Sequence, residues 1–277
     1  MWSLKSWQGR FLPHPLPAQE RLRAYAGWCT AVEGNTTFYA TPALETVAAW
    51  AAQTPEDFRF LLKLPRTVTH ESRLGDDAAA PLRSFLAAIP PLGPRLHALW
   101  VQLPPSFGPA DLSALAAFLH RMPGSHRYAV EVRHRAFFED ERWTQRLERL
   151  LGDVGAEWVD LDTTVLYQSP PSTEAEQEAW TKKPRLPRRM RALTAHPVVR
   201  YIARDDPALT SAGWAPWVER VAQWLAEGRS PTFFVHTPDN ADAIALARDF
   251  HAAVRARVPA LAPLPEPAPV PEQDTLF

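Results

Sequence analysis

The sequence predicts an α/β fold, a (β/α)8 barrel of the TIM type whose first strand is missing or truncated. Three observations carry that expectation. Short apolar runs alternate with longer amphipathic ones, the pattern of βαβ units that build a parallel sheet. The 277 residues, 46% of them hydrophobic, suffice for one barrel-sized core. Titratable and amide side chains gather at the carboxyl ends of the short runs, where the loops of such a barrel converge on one mouth.

Seven runs read as strands, counted as the second to the eighth: Ala31–Glu33, Phe58–Lys63, Ala98–Gln102, Tyr128–Glu131, Trp158–Leu161, Val198–Ile202 and Thr232–Val235. Helical spacing, with apolar residues three and four apart, marks Pro42–Gln53, Leu82–Ala88, Leu112–Leu119, Arg142–Leu151, Trp214–Glu227 and Ala241–Arg257. Met1–Arg10 is too polar for the remaining strand. Either the chain starts downstream of its natural beginning, or Trp2–Leu4 forms a stub of that strand. The barrel is expected over residues 1–258, with a polar insertion at 167–197 that carries Lys182, Lys183, Arg185, Arg188, Arg189 and Arg191. Residues 259–277 form a proline-rich tail with no core of its own to join.

Composition narrows the function classes. Thirty basic against 31 acidic residues give a formal net charge of -1, so no global field favours nucleic acid or membrane. The single cysteine, Cys29, excludes a disulfide framework and a cysteine-rich zinc site, and fits a reducing compartment. With no long apolar stretch, the expected location is the cytoplasm. Only 11 glycines are present and no phosphate-loop or nucleophile-elbow motif occurs, which disfavours nucleotide loops and serine hydrolysis.

The candidate site follows strand end by strand end. Glu33, Asn35, Thr37 and Tyr39 follow the first of the seven runs, Lys63 and His70 the second, and Gln102 the third. Glu131, Arg133 and His134 follow the fourth, Asp162 the fifth, Arg200 the sixth and His236 the seventh. Glu33, Lys63, Glu131, His134, Asp162 and His236 are the expected catalytic groups, and Asn35, Thr37, Tyr39, His70, Gln102, Arg133, Arg200, Arg188 and Arg189 the expected substrate-binding ones. Two glutamates in one mouth repel, so either one is protonated or a cation lies between them. Lys63 or Arg200 can be that cation. So can a divalent metal, since His134, His236, Glu33, Glu131 and Asp162 are acceptable zinc or manganese ligands, though without a metal-binding spacing. Lys63 can also serve as a Schiff-base nucleophile.

The runs WSLKSWQGRFLP, VEGNTTFYATP, FRFLLKLPRTVTH, WVQLPPSFGP, YAVEVRHRAFF, KKPRLP, VRYIARDD and FFVHTPD, in this order, resemble the YecE-like family of barrels, domain of unknown function seventy-two. The resemblance implies a TIM-type fold and no particular reaction. Relatives begin with a short strand just before the Trp2-Ser3 position, absent here, and are apolar where this chain has Asp160. The final QDTLF is similar to the pentapeptide by which bacterial proteins dock on the replication sliding clamp, with Gln273, Leu276 and Phe277 as anchors.

Three functional readings result. The first is metal-assisted or acid/base hydrolysis of a phosphate-bearing substrate at the rim, including nucleic acid held by the basic insertion. The second is isomerisation or cleavage of a sugar or sugar phosphate, with Lys63 and Glu131 as base and acid. The third is a clamp-tethered nucleic-acid-binding module without chemistry.

Overall fold

Among the described residues, eight short parallel strands, most of them separated by helices, account for the backbone hydrogen bonding of the sheets: β1 (Ala31–Gly34), β2 (Arg59–Lys63), β3 (Leu96–Gln102), β4 (Tyr128–Glu131), β5 (Glu157–Trp158), β6 (Asp160–Asp162), β7 (Val198–Ile202) and β8 (Thr232–His236). A computed structural model describes Trp2 and residues 4–267. β1 to β5 form one sheet in chain order and β6 to β8 a second. All pairings are parallel.

β5 and β6 are one expected strand divided at Val159, whose N–H turns back to the Val130 carbonyl at 2.9 Å. β5 pairs with β4 while β6 pairs with β7, so the chain itself carries the arc from one sheet to the next. The seven expected strands are thus all present. Among the described residues no strand precedes Ala31, and no ladder joins β1 to β8. The two sheets therefore do not close into a ring, which differs from the closed eight-stranded barrel of the TIM type.

Period-two alternation sorts the strand residues into an inner and an outer layer. Leu61, Ala98, Trp100, Ala129, Val159, Val198 and Phe234 pack together as the inner core. Outward residues such as Phe60, Leu62, Leu99, Val101 and Val130 join the helices in a larger cluster. Tyr201, Trp214, Trp217 and Phe250 form the corresponding layer behind β7 and β8. Two residues beyond Leu61, Trp100, Ala129, Val198 and Phe234, towards the carboxyl end, comes the polar layer of the mouth. At Gly34 the turn out of β1 leaves no room for a side chain, because an added Cβ would lie 2.4 Å from Leu62 Cδ2.

The basic insertion is ordered rather than a solvated loop. It contains the helix Glu174–Lys182, with Thr173 accepting from the Glu176 N–H as its N-cap. Buried Arg204 fastens this helix to the end of β7, donating to the Glu176 carboxylate and to the Ser169 and Pro170 carbonyls. No helix among the described residues is long and apolar enough to cross a membrane.

Candidate active site at the carboxyl ends of the strands

Alternation places Glu33, Lys63, Gln102, Glu131, Arg200 and His236 on the inner face, two residues beyond Ala31, Leu61, Trp100, Ala129, Val198 and Phe234. The ladder register brings them level: Lys63 stands beside Trp100, and Gln102 beside Glu131. Lys63 Nζ reaches Glu33 Oε1 at 2.6 Å and Asn35 Oδ1 at 3.0 Å. Arg200 lies between the two glutamates, its Nε 3.3 Å from Glu33 and its Nη1 3.5 Å from Glu131. Arg133 holds the other oxygen of Glu131 at 2.6 Å. His236 Nε2 meets Glu33 Oε2 at 2.9 Å. The indole of Trp100 is the floor, with the Lys63 ammonium 5.4 Å and the Arg200 guanidinium 5.9 Å from its ring centre.

The sequence left open whether one glutamate is protonated or a cation separates the pair. Arg200 is that cation. Burial pushes the Glu33 carboxyl up, but Arg200, then Lys63 and His236, outweigh it and hold the group well below the usual carboxylate range. Glu131 is likewise lowered, burial being outweighed by Arg133, Arg200 and Lys63. Both are therefore ionised at neutral pH. Burial, helped by Arg200, brings Lys63 down to about 8 against the opposing pull of Glu33 and Glu131. Burial also lowers His236, against the opposing pull of Glu33. The imidazole is thus neutral near pH 7 and donates Nε2–H to the Glu33 carboxylate, leaving Nδ1 as the base.

One member of the cluster lacked any signal of its own in the sequence. Lys183 follows the last residue of the insertion helix, and its carbonyl accepts from the Tyr167 hydroxyl. Its ammonium faces Arg200, Arg133, Glu33 and Lys63, and burial with Arg200 and Arg133 lowers it to about 8. Among the described residues it forms no ion pair. Four cations, Lys63, Arg133, Lys183 and Arg200, thus face two carboxylates, and the mouth carries a positive excess. Nearby, burial, Arg133, Arg66 and Lys63 bring His70 down to about 4, and its ring meets Phe38 edge-on at 4.9 Å. Gln102 Oε1 and Trp100 Nε1 are buried without a hydrogen-bond partner among the described residues. Such groups beside a charged cluster mark a place for water or ligand.

Other expected site residues serve the scaffold. Thr37 is buried, its hydroxyl within hydrogen-bond distance of the Gly34 and Lys63 carbonyls (2.8 and 2.7 Å), so it pins the turn after β1 to the end of β2. Tyr39 points into solvent, 70% exposed. His134 accepts the Ala136 N–H at Nδ1 and packs on Gly108, capping the short helix Ala136–Glu139. Asp162 is corrected most clearly. Its inward-facing neighbour is Leu161, level with Arg200, so Asp162 itself points outward. There it accepts from Trp217 Nε1 and Arg188 Nε, each at 2.7 Å.

The same pairing corrects the expectation that Arg188 and Arg189 clamp phosphate. Arg188 is held by Asp162, and Arg189 by Asp160 at 2.9 Å and Glu148 at 3.1 Å while it lies over the Trp158 ring. Arg191 also turns to Glu148, and Arg185 to the Tyr167 ring. The basic run is a structural belt from which Lys183 alone reaches the cluster. Among the described residues no group of three or more His, Cys, Asp or Glu converges closely enough to hold a metal ion, so the expected divalent-metal site has no ligand set there. Gln273, Leu276 and Phe277, the expected clamp anchors, lie outside the described residues.

Comparison with known proteins bears on this arrangement. Residues 1–272 match the family described as "Protein of unknown function DUF72". The chain is 38% identical over 258 residues to the UPF0759 protein YecE of Escherichia coli O157:H7, covering 92% of each chain. The YecE protein of Escherichia coli strain K12 matches to the same extent. Among crystal structures, a DUF72 family protein of Enterococcus faecalis V583 superposes with a TM-score of 0.66 at 19% identity, covering 87% of this chain and 94% of that one. One from Thermotoga maritima MSB8 gives 0.63 at 21% identity, over 92% and 96%. An α/β fold with parallel sheets, solved neighbours of the same kind and a family match over residues 1–272 converge on one assignment: the chain, similar to the YecE proteins along almost their whole length, belongs to the DUF72 family.

Proposed function

We propose that the mouth is the active site of an acid/base hydrolase that acts on a small phosphate-bearing molecule. The observation that carries this reading is the positive excess around two ionised, buried carboxylates, with Lys183 above them lacking an ion-pair partner among the described residues. A dianion placed among Lys183, Lys63 and Arg200 balances that excess. His236, partly exposed, takes a proton from water at Nδ1, while Glu33 orients the ring and stabilises the imidazolium that forms. The water oxygen bonds to phosphorus as the bond to the alkoxide breaks, and Lys63 returns a proton to the leaving oxygen. The deep burial of Glu131 and Lys63 favours a small molecule over a polymer, and the arginines expected to hold nucleic acid are engaged in their own ion pairs.

On the architecture, we infer that the two sheets are the wall of a (β/α)8 barrel whose first strand is missing among the described residues, with the gap between β1 and β8. Docking of Gln273, Leu276 and Phe277 on a bacterial sliding clamp is a separate proposal that rests on the sequence of the tail alone. Unchanged clamp binding after their deletion would end it.

Calorimetric titration with inorganic phosphate tests the active-site reading, followed by phosphate release from a panel of small phosphomonoesters. The wild type should bind phosphate, and Lys183→Met should bind it at least tenfold more weakly. Glu33→Gln should abolish turnover and spare binding. A wild-type protein that binds no phosphate refutes the reading.

A further inference from the structure

On neighbouring strands of the mouth, two buried acceptors stand side by side without a donor. Gln102 ends β3 and Glu131 ends β4, and the ladder sets the two residues directly opposite one another. Adjacent strands run roughly 4.8 Å apart, so the two inward side chains open on one small region. Gln102 Oε1 has no hydrogen-bond partner among the described residues. The Glu131 carboxylate is divided. Its Oε1 accepts from Arg133 Nε and Nη2, at 2.7 and 2.6 Å. Its Oε2 has no hydrogen-bond partner among the described residues and meets Arg200 Nη1 as an ion pair at 3.5 Å. Arg200 Nη1 and Nε are themselves buried donors in no hydrogen bond there.

These atoms select a ligand chemistry. A buried acceptor without a donor is destabilising, and a native fold keeps such atoms where water or a ligand will meet them. What meets them must donate, which the oxygens of an ionised phosphate cannot do. It must be neutral, because Lys63, Arg133 and Arg200 already crowd Lys183 and would repel a further ammonium. It must also accept, since Arg200 presents its N–H groups beside Glu131 Oε2. A hydroxyl does all three, whereas an amine or amide N–H only donates. Two acceptors side by side call for two hydroxyls on adjacent carbons.

We propose that the substrate whose phosphate lies among Lys63, Lys183 and Arg200 is the phosphate ester of a short polyol, with adjacent hydroxyls that donate to Gln102 Oε1 and Glu131 Oε2. The inference rests on the phosphate reading above and adds the polyol. It makes the enzyme selective for glycerol phosphates, short sugar phosphates and their like over alkyl phosphates.

The test compares inorganic phosphate, propyl phosphate and glycerol 3-phosphate by calorimetry on the full chain. The two esters share one carbon skeleton and differ only in a pair of adjacent hydroxyls. Hydrogen bonds to buried acceptors, one of them charged, should give glycerol 3-phosphate at least about tenfold the affinity of propyl phosphate. Gln102→Met replaces the amide with an apolar chain of similar length and should bring that ratio most of the way to one. Propyl phosphate should still bind the variant, which reports that it is folded with its phosphate site intact. The melting temperature should not fall, because Gln102 Oε1 has no partner to lose among the described residues. Equal affinity for the two esters, or a preference that survives Gln102→Met, overturns the polyol and leaves the phosphate site standing. Failure of all three ligands to bind overturns the phosphate site and the polyol with it.

Discussion

Lys63 and Glu33 meet at 2.6 Å although each side chain is almost wholly sealed from solvent. Ions so placed have lost hydration that their mutual attraction alone does not always offset, and what completes the balance is the surrounding network of Asn35, Arg200 and His236. Removing one partner strands the other. Lys63→Met and Glu33→Gln are each expected to lower stability by about 3–5 kcal/mol, and the double variant to recover much of that loss. Urea denaturation of the four proteins measures the coupling, and strictly additive effects would show that the pair is not a unit.

Phosphate affinity should fall as pH rises through about 8. Lys63 and Lys183 are both brought down to about 8, so both are charged at pH 7 and both lose their protons together above it. Lys183→Met should flatten this dependence without abolishing it. Titration calorimetry between pH 6.5 and 9.5 is the measurement, and affinity that holds to pH 9.5 contradicts it.

Acid should destabilise the fold at the opposite end of the strands, where His97 is buried. Burial, then Arg59 and Arg127, bring its pKa down to about 3 from an unfolded value of 6.5. The unfolded chain therefore binds the proton first, so stability is full above pH 6.5 and declines as pH falls from there towards 3. His97→Gln should make the stability curve flatter between pH 6.5 and 4 than that of the wild type. Parallel curves would show that other groups set the acid limit.

Asp162 tests the division between site and scaffold. Asp162→Asn leaves Arg188 without its anion in the outer layer and is expected to lower stability by about 3 kcal/mol. Phosphate affinity should stay within twofold of wild type, because the residue faces away from the mouth. A large loss of affinity with unchanged stability would return Asp162 to the site.

Gly34→Ala should disturb the mouth through the backbone. The new methyl would start 2.4 Å from Leu62 Cδ2 and 3.3 Å from Leu62 Cα, so β1 and β2 must shift, at about 1–3 kcal/mol. Because Glu33 and Lys63 flank this contact, their ion pair should loosen as well. A melting temperature equal to wild type would show that Leu62 yields instead.

Much of the site was legible because a strand repeats every two residues. Ala31-Glu33, Leu61-Lys63, Ala129-Glu131, Val198-Arg200 and Phe234-His236 each pair an inner core residue with the polar residue one step nearer the mouth, so a run of residue types already fixes which side chains meet. The same count applied to Ala98-Trp100-Gln102 points to Trp100 as the floor. It failed at Asp160-Leu161-Asp162, where both faces of the strand are buried and alternation does not say which is inner. Thr37 and His134 sit in turns, where residue type indicates polarity but not direction.

By itself, then, the sequence determined the parallel α/β layout, the seven strand positions and the ring of charged groups at their carboxyl ends, since periodicity and turn chemistry act over a few residues. Tertiary structure alone decided the rest. It chose Lys183 over its neighbour Lys182, drew Arg188 and Arg189 out to Asp162 and Asp160, and set Arg200 between two glutamates. Each of these depends on groups distant in sequence meeting in a low-dielectric interior, where the nearest opposite charge decides which ion is paired and which remains for a ligand.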